Sequence, residues 1–172
     1  MEREIFEARK ASAEHLTALL GPGPWSSKPR IETVRDRIAQ SDPDLLRRKS
    51  LFAAVLDGCV VGSVAASKFH PSFWKKHLWQ DPKASAIGVF DLVVHPAFQG
   101  RGYGRFLMNG IESLAPKFLC TAVRLDAFAE NPRSMGFYRA IRYSDRGRID
   151  VRGCPLQLFE RVLPEQLVNE IS

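Results

Sequence analysis

The chain has 172 residues, 45 % hydrophobic and 26 % charged, with a formal net charge of +6. That length and composition suit a soluble domain with a sizeable core, and no apolar run nears the roughly 20 residues of a membrane span. The basic residues are scattered, without zinc-finger spacing or the paired aromatics of an RNA-binding sheet, so the charge suits a phosphate-rich small molecule better than nucleic acid.

Ile5 to Ala8 reads as a short opening strand, followed by a helix capped by Ser12 and running to about Leu20, with Leu16, Leu19 and Leu20 on its buried side. Gly21-Pro22-Gly23-Pro24 breaks it. A second helix fits Ile31 to Gln40, with Ile31, Val34 and Ile38 on one face. Trp25 lies in the loop between, as an acceptor-pocket wall or a loop anchor in the core. The densest basic run, Arg47-Arg48-Lys49, reads as a solvated loop. Leu51–Leu56 and Val60–Phe69 are β-rich runs joined by Asp57-Gly58, a strong hairpin signal. The stretch from His70 to Pro82 is aromatic, basic and long for a plain connection. It is either a flap or wall over an acceptor site, or a helical turn packing its aromatics on the core, or a subunit contact.

Ile87 to Val94 is the central strand, ended by Pro96. After a glycine-rich loop, a helix from about Arg105 carries Leu107, Ile111, Leu114 and Phe118 as an apolar stripe, with Pro116 stopping it. Ala122 to Ala129 alternates, Val123, Leu125 and Ala127 on one side and Arg124, Asp126 and Phe128 on the other. Asn131-Pro132 opens the last clear helix, to about Ile141, and strands fit Asp145–Val151 and Leu156–Val162. The pattern predicts an α/β fold with a mixed sheet in a single domain, 1–172, with a core to about 164 and a tail over 165–172. Cys59, Cys120 and Cys154 lack metal-ligand spacing and read as reduced thiols. With Met1-Glu2-Arg3-Glu4 lacking a signal-like apolar region, the expected location is cytoplasmic.

Chemistry concentrates in Val94-His95-Pro96 and Gln99-Gly100-Arg101-Gly102-Tyr103-Gly104-Arg105. A strand that stops, turns and feeds a helix N-terminus offers free backbone N–H groups to an anion, most often a phosphate. The Lys-Ser/Thr pair of a P-loop is absent. The spacing Gly-x-Gly-x-x-Gly fails from Gly100 and from Gly102. Asp126 lies at a ribose-binding distance, but a hairpin meander precedes the loop in place of the βαβ repeat a dinucleotide site needs. Gln-Gly-x-Gly-x-Gly between strand and helix fits without forcing.

This motif resembles the acetyl-CoA pyrophosphate loop of the GNAT superfamily of N-acetyltransferases, Arg/Gln-x-x-Gly-x-Gly/Ala, here Gln99, Gly102 and Gly104. The family's second motif is similar to Asn131, Ser134, Phe137 and Tyr138, in the expected order and separation. The resemblance implies a mostly antiparallel central sheet splayed at the cofactor, flanked by helices. It implies acetyl-CoA as donor, held by the backbone of Leu92, Val93 and Val94, by the loop Gln99, Gly100, Arg101, Gly102, Tyr103, Gly104 and Arg105, and by Asn131. A Cβ at the glycines would block close approach, the arginines are cofactor contacts or plain solvent-exposed residues, and Asn131 is a contact or a helix cap. Tyr138 would be the general acid at the leaving sulfur. The base is open among Asp91, which alternation puts on one strand face with Val93 and His95, Glu130 at the end of the next strand, and His95 itself. The chain departs from the pattern at Arg142-Tyr143, where the family has Gly-Phe, so the last helix is expected to end differently. The family's frequent glutamate on the central strand has no clear counterpart.

The implied activity is acetyl transfer to a primary amine of a small molecule by direct attack in a ternary complex, with no nucleic-acid or membrane partner and with a homodimer left open. The alternatives are a protein or peptide N-acetyltransferase and a non-catalytic acyl-CoA-binding module.

Overall fold

The computed structural model describes residues 1–23, 30–39 and 49–164. Trp25, Arg47, Arg48 and the expected tail lie outside the described residues. Helix α1 (Glu2–Leu20) is followed by α2 (Ile31–Ala39), β1 (Ser50–Leu56), β2 (Cys59–Ser67), β3 (Ala86–Val94), α3 (Tyr103–Leu114), β4 (Ala122–Phe128), α4 (Pro132–Ala140), β5 (Ser144–Val151) and β6 (Cys154–Val162). None of the described helices is long and apolar enough to cross a membrane.

The expected opening strand does not form. Glu2 to Leu20 is one 19-residue helix, with Glu2 and Glu4 in its first turn, where the positive end of the helix dipole favours them. Ile5, Ala8 and Ser12 fall at i, i+3 and i+7 and make its buried stripe. Ser12 therefore sits inside the helix and caps nothing, while Leu19 and Leu20, expected inside, are 48 % and 39 % exposed. A four-residue strand with no neighbour to pair with loses to a helix that can bury a full face. Ile5 packs with Val34 of α2 and Val60 of β2, so both N-terminal helices cover the first hairpin.

That hairpin turns at Asp57 (φ 49°) and Gly58 (φ 81°), both left-handed, as the two-residue turn requires. The six strands run in the order β1-β2-β3-β4-β6-β5. All neighbours are antiparallel except β3 and β4, which pair in parallel over Ala86–Val89 and Ala122–Leu125 alone. Beyond Val89 the two strands part, while β4 stays paired to β6 through Phe128. Against β2, Ser63 to Ala65 is matched by Val93 to Phe90, so β3 carries an extra residue, and Asp91 has φ 52°. This bulge breaks the alternation that had placed Asp91, Val93 and His95 on one face; His95 lies past the strand's end.

On one face of the sheet, Leu107, Met108 and Ile111 of α3 and Met135 and Tyr138 of α4 pack with Ile87, Val123, Leu125 and Phe159. Helix α3 ends at Leu114, and Pro116 falls in a 3-10 turn, as its missing N–H dictates. On the other face the His70–Pro82 stretch lies against the sheet. Its Trp74 and Trp79 are each 4 % exposed and pack on Leu158, so these aromatics belong to the core. Arg124 ties it down, donating to the backbone oxygens of Asp81 (2.7 Å) and Ala84 (3.4 Å), pairing with Glu160 at 2.9 Å and lying 4.9 Å from the Trp79 ring centre. Arg142 takes φ 68°: the left-handed helix ending usually given to glycine is adopted here by arginine, so the helix end departs from expectation in residue type only.

Candidate active site

The parting of β3 and β4 creates an opening through the sheet, and each face of it carries a different kind of chemistry. On the α3/α4 face lies a cavity of about 500 Å³ lined by Leu92 and Val94 of β3, by Gly100 and the run Gly102 to Arg105, and by Asn131 and Tyr138, with Arg101 outside the lining. Helix α3 starts at its edge from Gly102, which is left-handed (φ 88°) and offers no side-chain cap. The first N–H groups of α3 therefore have neither an intrahelical nor a side-chain acceptor. Gly100 (φ 74°) turns the chain in the same way two residues earlier. Gly104 lines the cavity and serves a second purpose besides. A Cβ there would come within 3.1 Å of the Phe137 ring, so this glycine lets α3 and α4 approach each other.

Several side chains expected to reach a cofactor are engaged within the chain. Gln99 Nε2 donates to Val94 O at 3.1 Å, holding the loop to the strand end. Arg105 donates to Ala140 O at 3.4 Å, and Arg101 lies 5.6 Å from the Phe98 ring centre. Asn131 caps α4: its Oδ1 accepts from the N–H groups of Arg133 (3.1 Å) and Ser134 (3.3 Å), and its Nδ2 donates to Ser134 Oγ at 2.8 Å. The backbone of β3 is better placed. His95 N–H crosses to Val61 O in β2, so alternation turns the N–H of Val94 to the open side. Val93 O approaches Gly62 of β2, on the opposite side.

Tyr138 is 8 % exposed and lines this cavity. Its ring packs against Phe137, Tyr143 and Phe159. Burial, and then the nearby charge of Asp126, hold its hydroxyl far above the ordinary tyrosine range, so it remains a phenol.

On the other face, Asp126 is the first residue of β4 beyond the parallel pairing, and Phe90 is its counterpart on β3. Trp74 closes the wedge between them: its ring stacks on Phe90 at 5.6 Å, and its Nε1 donates to Asp126 Oδ2 at 2.7 Å. Burial raises the Asp126 pKa and Asp91 raises it further, while the Trp74 hydrogen bond and Lys49 draw it back. Lys49 Nζ lies 3.8 Å from the Phe90 ring centre. In the sequence Asp126 fits only the rejected dinucleotide scheme; its one visible signal is a carboxylate on the strand face it shares with Arg124 and Phe128.

The three residues named as bases are placed differently. Asp91 is ion-paired with Arg37 and, at 3.5 Å, with Arg9. His95 Nδ1 accepts from Ala97 N–H at 3.2 Å, capping the 3-10 turn Pro96–Phe98. That bond leaves the proton on Nε2 in the neutral ring. Glu130 is exposed beyond the end of β4, with no ion pair among the described residues.

The fold recurs among acetyltransferases. A ribosomal-protein-alanine N-acetyltransferase from Brucella melitensis superposes with TM-score 0.67 at 15 % identity, over 95 % of this chain and 96 % of that one. PaiA N-acetyltransferase from Thermoplasma acidophilum, solved with coenzyme A, gives 0.69 at 14 % identity over 94 % and 92 %. Aminoglycoside 6'-acetyltransferase type Ii gives 0.64 at 14 % identity over 95 % and 90 %. A sequence search of curated proteins gave no match. The profile of the acetyltransferase (GNAT) family matches residues 10–142, well over half of the sequence and inclusive of both faces of the opening, and the chain belongs to that family.

Proposed function

We propose that the protein transfers an acetyl group from acetyl-CoA to the primary amine of a small molecule, by direct attack across the opening between β3 and β4. The family uses acetyl-CoA as acetyl donor. The chain has a fitting cradle: an uncapped helix N-terminus entered through left-handed glycines suits the pyrophosphate, and the open edge of β3 suits the pantetheine amides. When bound, acetyl-CoA supplies an activated acetyl thioester. The Val94 N–H is turned to the side where a donor at a developing oxyanion would be needed.

Asp126 is the residue we assign as base. A carboxylate whose pKa is raised by burial accepts a proton from an incoming ammonium more readily than an ordinary one does. Tyr138 stands on the cofactor side. Its raised pKa suits it to donate a hydrogen bond to the leaving sulfur more than to release its proton outright. The carrying observation is the position of Asp126, at the apex of the opening and facing away from the cofactor cavity. Arg9, Arg37 and Lys49 on that face disfavour a polycationic acceptor.

The test is an acceptor panel with acetyl-CoA, comparing small monoamines, polyamines and peptide N-termini by release of free thiol. Fastest release with a small monoamine is the expected result. Preference for peptide N-termini would make it a protein acetyltransferase. Tight CoA binding without turnover of any amine would make it a binding module.

A further inference from the structure

A second, larger cavity of about 780 Å³ is bounded by the His70–Pro82 stretch, Lys68, the lead into β3 and Arg124, and it shares no lining residue with the cofactor cavity. It sits at the start of β3, near Ala86, six residues before Leu92 and so about 20 Å along the strand from the cofactor cavity. Its wall is basic: Lys68 from the end of β2, Lys75 and Lys76 from the aromatic stretch, and Lys83 from the lead into β3, with no carboxylate among the lining residues. Lys75, Lys76 and Lys83 are exposed, and none is paired with a carboxylate among the described residues. Lys68 donates to Phe118 O at 3.0 Å. The neighbouring acids are engaged behind the wall: Asp81 turns its Oδ1 back to the N–H of Lys83, Glu160 pairs with Arg124, and Asp126 accepts from Trp74 Nε1.

We propose that this cavity binds a small ligand bearing two or more phosphate groups, independently of the acetyl-transfer reading. The volume falls in the range of small-molecule sites. Ammonium groups converging from three segments repel one another until an anion lies between them, and a single charge would not meet them all. Phosphate is favoured over carboxylate by the donor set. Planar carboxylates are best matched by the arginine fork, and the only arginine here, Arg124, has its guanidinium engaged by Glu160, Asp81 O and Ala84 O. The remaining donors are lysines, point charges suited to tetrahedral oxygens. Trp74 and Trp79 are each only 4 % exposed, so no open ring is offered to a nucleobase and the phosphate chain carries the recognition.

The experiment is a calorimetric titration with tripolyphosphate of the full chain carrying Gly102→Val, which misplaces the start of α3 in the cofactor cavity; CoA is left out, because its own phosphates would compete for the second cavity. The expected result is a single saturable site that weakens steeply with salt. The triple variant Lys75→Gln/Lys76→Gln/Lys83→Gln is expected to weaken it about thirtyfold, roughly threefold for each exposed ammonium. Melting temperature and CoA affinity should stay unchanged, and the matching Lys→Arg triple variant should retain most of the binding. ATP binding as tightly as tripolyphosphate, with AMP weaker, identifies the phosphate chain as what is read. ATP binding much more tightly identifies nucleoside polyphosphates as the source. Absence of saturable binding at low salt, or binding that the glutamine variant leaves within twofold, overturns the proposal.

Discussion

The two faces of the β3/β4 opening are built from different materials. On the cofactor face the groups proposed to hold acetyl-CoA are backbone, namely the free N–H groups of α3, the left-handed Gly100 and Gly102, and the edge of β3 beyond its pairing with β4, and Tyr138 is the one side chain assigned a role there. On the opposite face they are side chains brought from five segments: Arg9 of α1, Arg37 of α2, Lys49 before β1, Asp91 of β3 and Asp126 of β4. A backbone-built half tolerates any side chain that leaves its dihedrals alone. A half built from side chains can be retuned one residue at a time. Common cofactor recognition with variable acceptor recognition follows from this division.

The strongest way to test it is Asp126→Asn. If Asp126 takes the amine's proton, kcat/KM should fall on the order of 10²- to 10³-fold, with CoA affinity unchanged by calorimetry. In the parent protein, activity should rise with pH through an Asp126 pKa above the ordinary carboxylate range, and the variant should lose that limb. Stability gives the opposite sign. A carboxyl whose pKa is raised in the folded state favours folding at low pH and opposes it once pH passes the folded pKa. The asparagine variant should therefore melt no lower than the parent at pH 7, since its amide oxygen can still accept from Trp74 Nε1. A large activity loss accompanied by an equally large loss of stability would make Asp126 a structural partner of Trp74.

Gly102→Val attacks the other face. A β-branched residue in left-handed conformation costs about 1–3 kcal/mol and reorients the start of α3. Misplacing those N–H groups by about 2 kcal/mol of contacts should weaken CoA roughly thirtyfold, read by calorimetry. Unaltered CoA affinity in a folded variant would remove the helix N-terminus from the site.

What could be read from the sequence divides along the same line. The glycine spacing after Val94-His95-Pro96 marks a backbone device, and such devices are local: turn, dihedral and helix start lie within a dozen residues. The strands, α3, α4 and the Asp57-Gly58 turn were legible for the same reason. Asp126 and its neighbours were not. Their meeting depends on where parallel pairing stops, at Val89, and on a bulge at Asp91 that defeats simple alternation. The N-terminal helix was misread because Ile5, Ala8 and Ser12 form a stripe only when the register continues through Ser12, a residue whose type suggested a cap. His95 and Gln99 carried the motif, yet their side chains shape the turn through Ala97 N–H and Val94 O.

Tyr138→Phe examines the boundary between the faces. Loss of one hydrogen bond to a developing thiolate corresponds to about 1.4 kcal/mol, or roughly tenfold in kcat. The KM for acetyl-CoA should hold, because the ring still packs against Phe137, Tyr143 and Phe159. Unchanged turnover would leave the hydroxyl without a role.

The smallest expected effect is the one that most sharpens the contrast. Two helix N-termini border the cofactor cavity, and only α3 is left uncapped. At α4 the Asn131 amide accepts from two N–H groups and donates to Ser134, so that terminus is already satisfied from within. Asn131→Ala should cost about 1 kcal/mol of stability through loss of the cap, measured by urea denaturation. Its effect on CoA affinity should stay within threefold, far below that of Gly102→Val. Loss of affinity equal to the glycine variant's, without the stability change, would mean that the amide leaves its cap to meet the cofactor. Cofactor binding would then depend on a side chain after all, and the division between backbone and side-chain recognition would fail at Asn131.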